Sequence, residues 1–463
     1  MNMPTTPLPQ GSRAPTQSLT PHTTAAQKPE EQSTAPSALL PRSLAIQVFL
    51  AFALAYFLSA LVRAITATLS PLLRVEFSLS AGDLGLLGGG YFLGFALTQL
   101  PLGKWLDKHG PRTVSMCFLS IAVLGCAAFA AAPNFVGLLA ARILCGVGVS
   151  ACLMAPLAAY RRWFNPEAQL RANSWMLMTG SLGMVAATLP VQWLLPVIGW
   201  RSMFVGLAAL IALSIVVLAW RLPAWPAHAA AATTAQDGGY RSIWQHAYFR
   251  RHLWSGFFIY GGLIAIQTLW AVPWLTQVSG YTPVQAATGL FWINVCMLVT
   301  FWTWGMLNPY LARRGLHADW LIARGIPLSL IILAIICIAG SATQWWAWAL
   351  FCMCCSFMSL AQPAIGMAFP QALAGRALSA YNLAIFSGIF VVQWGIGLLI
   401  DGFKWMGLDT VSAFRAAFAV FFVCSLAAYL RFVLDNKTHA RTIENAIPSN
   451  PTHQDINKLT SIT

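Results

Sequence analysis

The sequence predicts an all-α membrane protein with 12 transmembrane helices in two pseudo-symmetric six-helix halves. Three observations carry this expectation. Only 9% of the 463 residues are charged and 58% are hydrophobic, whereas about a quarter of a soluble domain is charged. Twelve apolar stretches are each long enough to cross a hydrocarbon core of ~30 Å. The second six stretches also repeat landmarks of the first six.

The stretches lie near 44–70, 84–102, 113–132, 135–158, 172–195, 201–220, 252–276, 285–307, 319–339, 343–366, 377–400 and 410–432. Residues 1–41 are rich in Pro, Ser, Thr and Gln and lack the apolar core of a signal peptide, so they read as a disordered cytoplasmic tail. Residues 42–220 form the first half, 221–250 an inter-half cytoplasmic loop, 251–433 the second half and 434–463 a second disordered tail. Of the 27 Lys and Arg residues, four (Arg74, Arg201, Lys404, Arg415) fall on one side and two (Arg63, Arg142) lie within spans. The others fall in the tails and in loops 2–3, 4–5, 6–7, 8–9 and 10–11. That asymmetry places both termini in the cytoplasm and the chain in the cytoplasmic (inner) membrane. The net charge of +14 is then topology and attraction to anionic lipid, not a nucleic-acid signal.

Several classes are disfavoured. The ten cysteines lie in apolar spans and form no disulfide framework. The run Cys352 to Cys355 invites a soft-metal reading, but no histidine is expected within a span to help, and buried cysteines are mostly small apolar residues. No nucleophile–base pair, metal cluster or nucleotide loop is apparent, so neither an enzyme nor a cofactor is expected.

The repeat is visible without gaps. Pro71-Leu72-Leu73 and Pro273-Trp274-Leu275 are each followed 32 residues later by a glycine, Gly103 and Gly305, and Arg112 falls on Arg314. Two halves of equal layout imply a ligand site between them near the bilayer midplane.

After the second stretch the chain reads GKWLDKHGPR, Gly103 to Arg112. This resembles the signature of the major facilitator superfamily, with Gly103, Asp107, Lys108, Gly110 and Arg112 matching; RILCGVGVSACLMAP (Arg142 to Pro156) and GSLGMVAATLP (Gly180 to Pro190) with Gly199-Trp200-Arg201 extend the likeness over 44–433. The resemblance implies the major facilitator fold, alternating access, a conformational latch at Gly103–Arg112 and a coupling or structural role for Arg142. Pro309 stands where Asp107 stands in the first half, so an acidic latch is not expected there. LVRAITATLSPLLRVEFSLSAGDLG (Leu61 to Gly85) is similar to the first-span region of the organophosphate:phosphate antiporter family, which implies that Arg63 binds an anion. That family also uses a seventh-span arginine; here Gln267 and Trp270 occupy that helix.

The charge inventory supports an anion. None of the 13 carboxylates falls at a span centre, and all eight histidines are expected in tails or loops. Arg63 and Arg142 are the deep charges, and an unpaired buried cation is costly unless an anion completes it. Counted from Arg42, Arg63 stands about 31 Å up the helix; counted back from Arg74 it stands about 16 Å in. A tilted first helix puts it in a cavity; an upright one lets it snorkel to headgroups. Tyr56, Gln267, Trp270, Asn294, Asn382 and Gln393 complete the candidate substrate set, with interhelical hydrogen bonding as the alternative role for each amide. Trp345, Trp346 and Trp348 read as an interfacial belt.

The expected function is secondary active transport of a small organic anion, a carboxylate, by a monomer with lipid as its other partner. Symport would carry the proton on the substrate's own carboxyl; anion exchange is the other option. Export of drugs or hydrophobic metabolites, and a transporter-like ligand sensor, are the rivals.

Overall fold

The computed structural model describes residues 39–223 and 240–446, all in helices or short connections. The expected tail 1–38, most of the inter-half loop (224–239) and residues 447–463 lie outside them. Ten helices among the described residues are long and apolar enough to cross a membrane. They resolve into twelve crossings. Arg42–Glu76 is the first span. Ala81–Ala131 bends at Gly110 and supplies the second (81–109) and third (111–131). Phe135–Trp163 is the fourth. Pro166–Ala186 continues into the first arm of Leu189–Arg221 as the fifth (166–198), and the arm beyond Gly199 is the sixth (200–221). The second half runs Ala247–Gln277, Pro283–Arg313, Ala318–Ala339, Trp345–Met367, Gln371–Trp405 and Thr410–Ala446.

Local chemistry sets these boundaries. Ser80 and Asp83 form a reciprocal capping box that starts the second span, satisfying two orphan N–H groups at a helix start. Asn134 and Asn165 cap the fourth and fifth through Gly137 N and Ala168 N. Gly110 has φ 76°, which glycine adopts without a Cβ clash, and Pro111 then opens the third span where no N–H is needed. On the ninth span Leu328, Ile331, Ile335 and Ile338 are all exposed; their spacing makes one apolar stripe, the face a bilayer covers.

Some boundaries differ from expectation. The seventh helix already begins at Ala247, with a short helix Tyr240–Gln245 before it, so the end of the expected loop is ordered. The last helix runs to Ala446, so 434–446 is helical rather than tail. The fifth span breaks at Ala187–Thr188; there Thr68 Oγ1 of the first span donates to the Ala187 carbonyl at 2.7 Å, supplying a partner where the helix is interrupted.

The halves are joined on the face opposite the termini. The Asp401 carboxylate, at the end of the eleventh span, accepts from Ala81 N (3.1 Å) and Gly82 N (2.6 Å) at the start of the second. Further in, Phe386 lies 4.1 Å from Phe95 by ring centroids. Toward the terminal face the fourth span packs on the first, second and fifth, while the tenth packs on its own half.

Candidate functional site

Arg63 sits in mid-helix on the first span, partly accessible, in polar contact with Tyr56 and within electrostatic reach of Tyr91 and Tyr260. Those tyrosines come from the first, second and seventh spans, so Arg63 faces the interior where the two halves meet rather than the headgroups. Its Nε is buried with no acceptor among the described residues. Tyr56 is seated by a close approach of the fifth span: a Cβ on Gly180 would stand 2.5 Å from its ring, so only glycine fits there.

Arg142 occupies a different position. It is 1% exposed and its guanidinium donates to the carbonyls of Val62 (2.7 Å) and Arg63 (3.0 Å). It also lies over the Tyr91 ring, 4.9 Å from the centroid. The fourth-span arginine thus fastens the first helix at the residue that carries the accessible charge, and it faces carbonyl oxygens rather than open space.

The second-half candidates form a network of their own. Gln267 Nε2 donates to Asn294 Oδ1 at 2.8 Å, and Asn294 Nδ2 to Leu290 O. Trp270 Nε1 donates to Gln393 O at 3.0 Å, and Gln393 Nε2 to Thr268 Oγ1 at 2.9 Å. This ties the seventh span to the eighth and the eleventh, and leaves Gln393 Oε1 buried without a donor. Asn382 stands apart, accepting from Gln362 Nε2 of the tenth span at 2.5 Å. The seventh helix carries two π-helical turns, Gly256–Tyr260 and Ile266–Trp270, so Tyr260, Gln267 and Trp270 all sit on re-aimed segments of a kind that clusters at functional sites.

The loop motif divides between structure and charge. Gly103 meets nothing within 4 Å of a Cβ position, and Lys108 is exposed. Gly110 makes the turn, and Arg112 donates to Ala219 O near the end of the sixth span at 2.5 Å, where helix carbonyls lack partners. Asp107 is exposed and feels Arg161 of the fourth span and Arg376 of the eleventh.

Two placements correct the sequence reading. His252 is fully buried in the seventh helix rather than in a loop; its Nε2 lies 3.1 Å from Asp319 Oδ1, beside Arg251 and Tyr248. The second half therefore has a charged cluster on its terminal side, built on Asp319 rather than at Pro309. Trp348 is 0% exposed, packed on Trp274 and Phe418, so it is core and not belt. Tyr91, Tyr260 and Gln362 were missed as site residues; aromatics and a lone amide in apolar runs look like packing. Among the described residues no group of three His, Cys, Asp or Glu could hold a metal ion.

A two-half, twelve-span bundle with a charge at the interface of its halves defines a class, the polytopic carrier. The family model of the Major Facilitator Superfamily matches residues 52–393: the chain belongs to this superfamily of transporters. It is 27% identical over 138 residues to the probable L-galactonate transporter of Escherichia coli K12 and 28% over 159 residues to the niacin transporter NiaP of Acinetobacter baylyi. Those matches span only 30% and 36% of the relatives' own length. In fold it is similar to an inward-facing bacterial homolog of the human lysosomal transporter Spinster (TM-score 0.70, 17% identity, 87% of this chain and 99% of that one) and to the D-xylose-proton symporter (0.68, 15%, 84% and 97%).

Proposed function

We propose that the chain is a secondary active transporter that moves a small organic anion, a carboxylate, across the cytoplasmic membrane by alternating access, with both termini in the cytoplasm. One observation carries this: Arg63 is a partly accessible guanidinium between the halves, and no carboxylate among the described residues is fully buried to neutralise it. A guanidinium grips a carboxylate through two parallel N–H bonds, and the hydroxyls of Tyr56 and Tyr260 can direct further donors to the same anion, while the Tyr91 hydroxyl donates to the Ser59 carbonyl. The probable L-galactonate and niacin transporters are named for carboxylic acids, which supports the class without choosing a member. Without a buried acidic carrier, symport would move the proton on the substrate's own carboxyl. Gly103–Arg112 is the conformational latch in this reading, Asp107 standing between arginines of both halves.

The test is uptake of radiolabelled monocarboxylates, nicotinate and galactonate among them, into right-side-out vesicles. Arg63→Ala is expected to lower uptake about 100-fold or more, the scale of a lost buried charge contact of about 3 kcal/mol. Arg63→Lys keeps the charge, loses the fork and falls between. Wild-type rates for both variants across the panel overturn the reading.

A further inference from the structure

A cavity opens on the face opposite the termini, between the outer ends of the first and seventh spans. Its volume is about 470 Å³, and Ser70, Pro71, Arg74, Pro273, Thr276 and Gln277 are among its lining residues. The volume suits a small ligand. Pro273 and Thr276 are the repeat mates of Pro71 and Arg74 at the spacing that relates the two halves, so the cavity lies where equivalent helix ends face one another. Among the described residues no carboxylate lies within ion-pair distance of Arg74. Glu76, two residues on, is engaged by Arg201 and by Trp200 Nε1 at 2.7 Å. Lys404 adds a positive charge within electrostatic reach of Arg74, and the nearby Asp401 is occupied by two backbone N–H groups of the second span. Arg74 is eleven residues from Arg63 on one helix, close to three whole turns, so the two residues share a face with their Cα atoms about 16 Å apart along the axis.

We infer that this cavity is a separate anion site that holds a carboxylate on Arg74 with amide help from Gln277, outside the point where Phe95, Phe386 and Asp401 close the halves; the Ser70 and Thr276 hydroxyls line it and donate to the Ala67 and Val272 carbonyls. Its role as an antechamber to Arg63 rests on the anion-transport reading above; the binding of an anion there does not.

Thr276→Cys provides the probe. In right-side-out vesicles it is reacted from outside with methanethiosulfonate reagents of similar size, one an anionic sulfonate and one a trimethylammonium cation, with the unsubstituted chain as background. The anionic reagent is expected to react about fivefold faster or more after correction for intrinsic rates, the scale of one unit charge a few ångström away in water-like surroundings. Arg74→Gln removes that preference and Arg74→Lys keeps it. Arg63→Gln leaves it intact, so the outer site stands even where the central reading fails. Equal rates for the two reagents, a cysteine inert to both, or a preference that survives Arg74→Gln overturns the inference.

Discussion

The first and seventh spans hold equivalent places in the two halves but follow opposite electrostatic plans. The first carries Arg63, a charge whose Nε has no acceptor among the described residues. The seventh has Ala265 at the matching position and surrounds it with neutral partners: Gln267 on Asn294, Gln393 on Thr268, Trp270 on a carbonyl. A buried polar network that is satisfied adds rigidity at small net cost, whereas an unpaired cation stores a penalty that only an anion relieves. In the anion-transport reading proposed above, recognition of charge is concentrated in one half. The seventh-span side of the other half presents a neutral wall, and buried atoms without a partner near it include Gln393 Oε1, the Tyr381 hydroxyl and Trp274 Nε1.

The two arginines within the first half give the strongest way to sharpen this contrast. Arg63→Gln is expected to abolish uptake and leave the melting temperature in detergent unchanged or raised, because it removes an orphan charge. Arg142→Gln takes two charge-assisted hydrogen bonds from the first helix, each worth about 1.5–3 kcal/mol. It is expected to lower the melting temperature by roughly 5 °C or more. A melt in which the two variants behave alike breaks the distinction between a recognising and a fastening arginine.

A smaller effect is expected at the clasp between the halves. Asp401→Asn keeps an acceptor for only one of Ala81 N and Gly82 N and loses the charge that complements a helix N-terminus, worth up to ~2 kcal/mol in partly buried geometry. The population with separated outer ends of the second and eleventh spans should rise up to about thirtyfold, read by distances between spin labels on those ends. An unchanged distance distribution means that aromatic packing at Phe95 and Phe386 alone closes the halves.

Much of this was legible in the sequence for identifiable reasons. A span needs a length of apolar residues, so all twelve crossings could be counted, and Arg63 and Arg142 stood out because deep charges are rare. Gly110 stood out through the resemblance of GKWLDKHGPR to a family signature, while its turn was visible only in the structure. What the sequence concealed depended on contacts between distant positions. Arg142 caps carbonyls about eighty residues upstream, and nothing local marks that. His252 and Asp319 each look like a loop end until the fold joins them. Tyr91 and Tyr260 sit in runs where an aromatic ring ordinarily packs against a neighbouring helix, and the π-helical turns that re-aim the seventh span have only a local excess of glycine, Gly256, Gly261 and Gly262, as a signal.

The weakest expected effect tests the neutral wall itself. Asn294→Leu removes one acceptor from Gln267 and is close to isosteric. Interhelical hydrogen bonds in membranes average about 0.6 kcal/mol, so the melting temperature should move by no more than about 2 °C and the KM for the transported anion by less than about threefold. The two readouts separate the roles that sequence left open for this amide. A small drop in stability with KM preserved is what a packing contact between the seventh and eighth spans produces. A tenfold rise in KM with an unaltered melt would instead place Asn294 on the substrate, and the second half would then contribute specific contacts rather than shape alone.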